Sequence, residues 1–500
     1  MSRPLPDHVD VLVVGAGLSG IGAACHLAQQ CPDREVLVVD ARAAVGGTWD
    51  LFRYPGVRSD SDMNTLGYGF RPWSGDVAIA DGPSILDYIQ ETAEAFGVLD
   101  KVRLGHRVIR ADWDRAEAVW TVDMTTLDGQ RTLTCSFLYL CTGYYDYDQG
   151  YTPDFPGVDE YAGALVHPQH WPADLDHAGK RIVVIGSGAT AVTLLPALAE
   201  SSAHVTMLQR SPTYIVSAPK RDRIAAALGR VLPQPAVART VFWKNVLLSL
   251  GQYELCRRRP DLMAGLIRAD AAKRLPEGYD VDTHFRPRYK PWDQRMCLAP
   301  EGDFFAAVTS GRASIVTDQV ERLEAGGVRL ASGQLLEADV VVTATGLNLL
   351  AFGGIELVVD GEKVDVGSTT AYKAMMLCGV PNLAWTVGYT NASWTLKADL
   401  VARSVCRLLN HMSAHGYSIS EPQPPHDAPP EPLIDLASGY VQRGIGAFPK
   451  QGSRAPWRLR QNYLMDLWAL RRDRVDDHIR FATRPALPAV PSRPDLVPIA

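Results

Sequence analysis

Two glycine-rich loops stand far apart in this chain, and each has the residue types that hold a dinucleotide. Gly15-Ala16-Gly17-Leu18-Ser19-Gly20 follows the apolar run Val9-Asp10-Val11-Leu12-Val13-Val14. Gly186-Ser187-Gly188-Ala189-Thr190-Ala191 follows Arg181-Ile182-Val183-Val184-Ile185. Glycines let a backbone approach a pyrophosphate, and a helix opening behind them presents unpaired N–H groups and a partial positive charge. The first loop meets an acid, Asp40, about 25 positions on, which would accept hydrogen bonds from a ribose diol. That site should take the adenosine half of FAD or NAD. The second loop meets Arg210 and Ser211 at the end of its second strand. A guanidinium and a hydroxyl there would bind a 2′-phosphate that an acid would repel, so this site reads as NADPH. Two such sites in one chain imply electron traffic between two cofactors.

Just past the second strand lies Gly46-Gly47-Thr48-Trp49-Asp50, where the extended diphosphate and ring of a flavin would run. Two glycines and an indole suit packing against a flat ring system, which favours FAD at the first site.

The elements that must position these residues follow from the apolar periodicity. Val9–Val14 reads as a buried strand, Ser19–Gln30 as a helix and Glu35–Asp40 as a second strand, followed by a glycine- and aromatic-rich loop over 45–68. Ser84–Phe96 reads as a helix, and 102–140 as strands with a hairpin turn at Asp128-Gly129. A second βαβ unit begins at Lys180. Residues 220–280, Arg-rich and punctuated by prolines 233, 235 and 260, read as a helical insertion bordering the substrate pocket. Strands resume at 314–317 and 328–330, and Asp339–Gly346 closes the second nucleotide domain. Met375–Tyr389 reads as strand-turn-strand and Leu396–Asn410 as a helix that completes the first domain. The expected fold is α/β, with two Rossmann-like dinucleotide-binding domains, one for FAD and one for NADP. The expected division is 1–160 and 341–480 for the FAD domain, 161–340 for the NADP domain, and a loosely attached Pro-rich tail at 481–500.

Composition narrows the class. Five hundred residues exceed one core, and 46% hydrophobic with 21% charged residues is ordinary for a globular protein. A net charge of −6 offers nothing to nucleic acid. Eight cysteines without a Cys-x-x-Cys pair speak against structural zinc and against the redox dithiol of a disulfide reductase; they suit a reducing cytosol. No signal peptide fits the polar start Met1–His8, and no run of about 18 apolar residues exists to span a bilayer. The expected location is cytoplasmic. The apolar stretch Thr240–Leu250 is read first as a core-facing helix and only second as a contact with a membrane surface.

Between the two loops lies Tyr161-x-Gly163-x-x-x-His167-x-x-x-Trp171-Pro172. It resembles the Baeyer–Villiger monooxygenase fingerprint, with Tyr in place of Phe. Gly46–Trp49 and Arg53-Tyr54-Pro55-Gly56-Val57-Arg58-Ser59-Asp60 resemble the flavin-side segments of that family, and the resemblance runs from about residue 9 to 475. Pro291-Trp292-Asp293-Gln294-Arg295, Gly388–Lys397 and Pro449–Arg454 are most similar to its ethionamide-activating branch. Many ring-ketone members carry Lys where this chain has Gln294.

The resemblance implies an FAD-containing, NADPH- and O2-dependent conversion of ketones to esters or lactones through a flavin C4a-peroxide, with oxidation of thioethers or thioamides beside it. It implies Arg295 as the fixed cation and Asp60 as the acid that positions it. Cofactor contacts are expected at Gly15, Gly17, Ser19, Gly20, Asp40, Gly47, Thr48, Trp49, Asp50, Leu51, Arg58, Ser59, Asp60 and Val108 for FAD. For NADP they are expected at Gly186, Ser187, Gly188, Ala189, Thr190, Ala191, Arg210 and Ser211. His167 and Trp171 are assigned to domain coupling. The competing readings are an N- or S-oxygenating flavin monooxygenase with little ketone activity, and an inert NADPH-binding regulator.

Overall fold

A strand buried on both faces needs an unbroken apolar run, and His8–Val14 meets that need at the centre of the larger sheet. The computed structural model describes residues 4–484 apart from 75, 426–429 and 435. Val11 to Val14 pair in parallel with Val36–Asp40 on one side and with Gly129–Leu140 on the other. The sheet has 11 strands. Two of them come from late in the chain: Glu356–Val359 pairs with Arg107–Asp114, and Leu383–Trp385 with Gly129–Leu140. Helix Leu18–Gln30 packs over this sheet together with Trp394–His415. The latter is longer than the sequence pattern indicates. It runs on until Gly416, whose left-handed φ of 68° lets its N–H turn back to the Met412 carbonyl.

A second sheet is wholly parallel, in the order Ala313–Thr317, His204–Gln209, Arg181–Ile185, Val340–Thr343, Ala164–Val166. The chain passes between the sheets twice, at Cys141–Gly143 and at Ala344–Gly346. The segments beyond these turns, Tyr145–Gly150 and Leu347–Leu349, pair with each other as an antiparallel ribbon. Both passages are thereby tied into one connection.

Helices Arg223–Leu228, Gln234–Arg258 and Pro260–Arg274 occupy the insertion. The stretch read as core-facing looks both ways. Val241 and Val246 are buried, whereas Leu247 and Leu248 are 56% and 62% exposed. Its inner side, Phe242 and Val246, packs with Tyr389 and Leu396. No helix among the described residues is long and apolar enough to cross a membrane.

Two local expectations need correction. The hairpin apex is Leu127-Asp128, one residue earlier than expected, because Gly129 supplies a positive φ of 105° where the chain re-enters the ladder. The chain also stays attached beyond 480, since Ile479–Ala482 pairs with Ile419–Pro422. Residues 485–500 lie outside the described part.

Candidate functional site

The first glycine loop is shaped by what lies against it. Gly15 has a φ of 107°, and a Cβ there would run into the Cys141 carbonyl. A Cβ on Gly20 would overlap the Gly15 carbonyl, so the helix sits directly on the loop. Its N-cap, Gly17, offers no side-chain acceptor, and the first-turn N–H groups stay available to an anion. Asp40 is buried at the end of the second strand. It accepts from the backbone N–H of Ala16 (2.6 Å) and Arg42 (2.8 Å). Burial raises its pKa against the pull of those two donors, so the carboxylate still gains from further donors such as a ribose diol.

From this loop a cleft of about 240 Å³, open to solvent, runs to the second loop. Gly17, Ser19, Thr48 and Trp49 from the first nucleotide unit and Ala189, Thr190 and Arg295 from the second all line it. The glycine cradle, the unpaid helix N-terminus and the elongated cleft fit a flavin dinucleotide. The second loop repeats the turn. Gly186 has a φ of 139°, and a Cβ there would meet the Ala344 carbonyl. Helix Ala189–Leu198 is again uncapped by a side chain, and Ser187 donates from Oγ to the Ser211 carbonyl (3.0 Å). Arg210, exposed just past His204–Gln209, has no hydrogen-bond or ion-pair partner among the described residues. Those groups fit a phosphorylated nicotinamide dinucleotide.

Arg295 and Asp60, 235 positions apart in the sequence, meet in the cleft with Nε 3.6 Å from Oδ2. Each side chain keeps roughly a third of its surface open, 31% and 28%. Burial is the largest single influence on Arg295 and would lower its pKa; the Asp60 carboxylate, first among the opposing influences and joined by Tyr144, Tyr145 and Tyr440, turns the net shift upward, so the guanidinium stays charged.

A family model for pyridine nucleotide-disulphide oxidoreductases matches residues 9–234. The FAD-containing monooxygenase EthA of Mycobacterium tuberculosis is 54% identical over 96% of this chain and 99% of its own length. The chain belongs to the FAD-containing class B flavin monooxygenases. The probable FAD-binding monooxygenase AlmA of Acinetobacter baylyi is 44% identical, covering 95% of this chain and 96% of its own. Two solved structures share the fold. A steroid monooxygenase bound to NADP has a TM-score of 0.70 at 22% identity, covering 83% of this chain and 88% of its own. An open cyclohexanone monooxygenase has 0.70 at 20%, covering 84% and 90%. This monooxygenase has no disulfide centre on its two-dinucleotide scaffold: its eight cysteines are all free and buried.

Several residues named from the sequence sit in the monooxygenase away from the open cleft or in other partnerships. Asp50 is buried, with both oxygens held by Arg42 and Arg53, so it braces the loop behind Trp49. Arg58 lines the cleft but spends its guanidinium on Asp303, tying this loop to the second nucleotide unit. Ser59 donates to the Ser61 carbonyl (2.6 Å). Val108 is packed in the core beneath the sheet, and the Leu51 side chain is buried as well.

The fingerprint has a physical reading. The Tyr161 ring lies over Gly163, where a Cβ would strike it, and its hydroxyl donates to the Ala338 carbonyl (3.1 Å). His167 Nδ1 accepts from Gln169 N–H (3.2 Å), so Nε2 carries the proton and donates to the Gly346 carbonyl (3.1 Å). The ring also fills the space beside Gly150, where no Cβ would fit. His167 thus touches both strands of the crossover ribbon. Trp171 packs at the edge of the second core, its ring 6.5 Å from that of His177.

Sequence reasoning missed the aromatic wall. Tyr144, Tyr145, Tyr147, Tyr389 and Trp394 all line the cleft. Their signal was present as a run of three tyrosines within four residues directly after a crossover glycine.

Proposed function

We propose that this monooxygenase binds FAD on its first glycine loop and NADPH on its second, and converts ketones to esters or lactones, with thioethers and thioamides as further substrates. When bound, FAD would supply the redox chemistry of the site, hydride acceptance from NADPH and activation of O2 for oxygen transfer. Gly15, Gly17, Gly20 and Asp40 hold the FAD dinucleotide; Gly186, Gly188, Arg210 and Ser211 hold NADPH.

The observation that carries the reading is a charged Arg295, held by Asp60, at the point where the two cofactor sites converge. Oxygen insertion beside a carbonyl builds negative charge on oxygen, and a preorganised cation is usually the largest stabiliser of such charge. A guanidinium fits because it cannot lose its proton and presents a planar fork of donors. Asp60 fixes the direction of that fork through Nε. His167, neutral and bonded at both ring nitrogens, couples the two nucleotide units and moves no proton.

Product identification from linear ketones, cyclic ketones and thioethers tests the reading: esters or lactones are expected, and sulfoxides alone would overturn the ketone assignment. Arg295→Ala should retain FAD and lose ester formation by about 10²–10³ in rate, while NADPH oxidation continues with release of hydrogen peroxide. Ester formation at the wild-type rate would make Arg295 structural.

A further inference from the structure

Tyr147 belongs to the crossover ribbon, yet its side chain reaches the cradle of the first glycine loop. It lines the cleft beside Gly17, Gly46 and Thr48. Its hydroxyl lies 2.9 Å from Thr48 Oγ1 and 3.4 Å from where a Cβ on Gly47 would sit. The Arg42 guanidinium stands 6.0 Å from the centre of its ring. Burial, opposed by the Thr48 hydrogen bond and helped by the Asp40 carboxylate, raises the Tyr147 pKa to about 12. The phenol therefore stays neutral beside the acid of the first site.

The ribbon by itself is a weak support for that ring. Tyr145–Gly150 pairs with Leu347–Leu349 in a short ladder whose register shifts midway. The fingerprint segment supplies the firmer hold. His167 fills the space beside Gly150, Gln169 Nε2 donates to the Asp146 carbonyl (2.8 Å), and His170 Nε2 donates to the Asp148 carbonyl (3.2 Å). The last two bonds grip the residues on either side of Tyr147. Asp148 also pairs with Arg107, but the two side chains are 64% and 49% exposed, and such a pair adds little.

Gln169 is the informative member of this set. It is 1% exposed, and with its amide nitrogen on Asp146 its Oε1 has no partner among the described residues. A buried acceptor left unpaired costs stability, so packing does not account for a glutamine here. Its bond to the ribbon does. The segment continues directly from Ala164–Val166, the edge strand of the second sheet. A line of contacts thus runs from that sheet through Gln169 and the ribbon to Thr48.

We infer that Tyr147 is a cofactor-binding residue that retains FAD in the first cradle, and that Gln169 is its positioning residue. The ring can leave the cradle only when the ribbon slips from Gln169, so the fingerprint segment governs how long FAD stays. This rests on FAD lying on the first glycine loop.

The test follows FAD release from the loaded protein by the rise of flavin fluorescence on dilution, with melting curves of the apoprotein to confirm the fold of each variant. Tyr147→Ala should release FAD about tenfold faster than wild type. Gln169→Leu, which keeps the bulk and removes the donor, should release it about threefold to tenfold faster, and His170→Ala, at an exposed position, about twofold to fivefold. The double variants decide whether these residues act through Tyr147. In the Tyr147→Ala background, Gln169→Leu and His170→Ala should add nothing, whereas independent damage would multiply the effects. Wild-type release in Tyr147→Ala overturns the inference, as do multiplied effects in both double variants. Gly20→Ala checks the site separately. Flavin retained there places FAD elsewhere and overturns both readings; flavin lost there, with wild-type release in Tyr147→Ala, overturns the role of Tyr147 alone.

Discussion

The two glycine loops share a backbone and differ in how tightly the protein closes on them. In each, the first glycine has positive φ and presses on the carbonyl that ends a crossover strand: Gly15 on Cys141, Gly186 on Ala344. The second glycines part company. Gly17 faces Gly47, with 3.3 Å from a hypothetical Cβ to the Gly47 Cα, whereas Gly188 is exposed and would meet nothing within 4 Å. At the third position Gly20 has no room for a methyl, while the other loop already carries Ala191. The strand-end charges differ as well: Asp40 is buried and bonded to two N–H groups, Arg210 is exposed and unpaired among the described residues. A site covered by its own chain suits a cofactor that stays, and an open site with a free cation suits one that comes and goes.

The largest expected contrast is steric. Gly20→Ala should yield protein without bound flavin, because the methyl group must displace the loop; the visible flavin absorbance of purified protein reads this directly. Gly188→Ala should keep FAD and change the NADPH KM by no more than about twofold. Equal damage at both positions would erase the distinction between a closed and an open loop.

Next comes the charge at the open site. Arg210→Ala should weaken NADPH by about tenfold to a hundredfold, the worth of a charge-assisted phosphate contact of about 1.5–3 kcal/mol, and leave NADH little changed. Steady-state kinetics with both nucleotides decide it, and an equal loss for each would remove Arg210 from the phosphate site. At the closed site, Asp40→Asn leaves one backbone N–H facing an amide donor. A cost of about 1–3 kcal/mol in stability is expected, visible as a lower melting temperature and easier loss of FAD on dilution.

The smallest effect concerns the ribbon between the two units. Burial, with nearby His170, lowers the pKa of His167 below the ordinary histidine value of about 6.5, against the pull of the Gly346 and Tyr151 backbone. A lowered folded-state pKa means that folding favours the neutral ring. Its contribution is therefore complete above about pH 6.5 and is lost as pH falls from there through the folded value. The melting temperature of wild type should decline in that window more than that of His167→Gln; parallel curves would take His167 out of the coupling.

Much of this was legible because it is local. Val9–Val14 and Arg181–Ile185 announce buried parallel strands by composition, and the glycines after them announce strand-to-helix turns with positive φ at Gly15 and Gly186. The failures share one cause. Arg58 looked like a cofactor residue until Asp303, far along the chain, took its guanidinium. Asp50 looked available until Arg42 and Arg53 enclosed it. The tyrosine run after Gly143 was visible in the sequence, but its place in the cleft wall depends on Trp394, which arrives from a distant helix to stack on Tyr144.

Sequence alone determined the pairing of two dinucleotide loops, their opposite strand-end charges and the parallel sheets beneath them, because such features are set by neighbours within about 25 residues. The family resemblance had already paired Arg295 with Asp60; only the tertiary structure decided that the crossovers form one ribbon and that Arg58 and Asp50 are taken by other partners. Contacts of that kind carry no signature in local spacing, for they are fixed by how the late segments of the chain return to the first sheet.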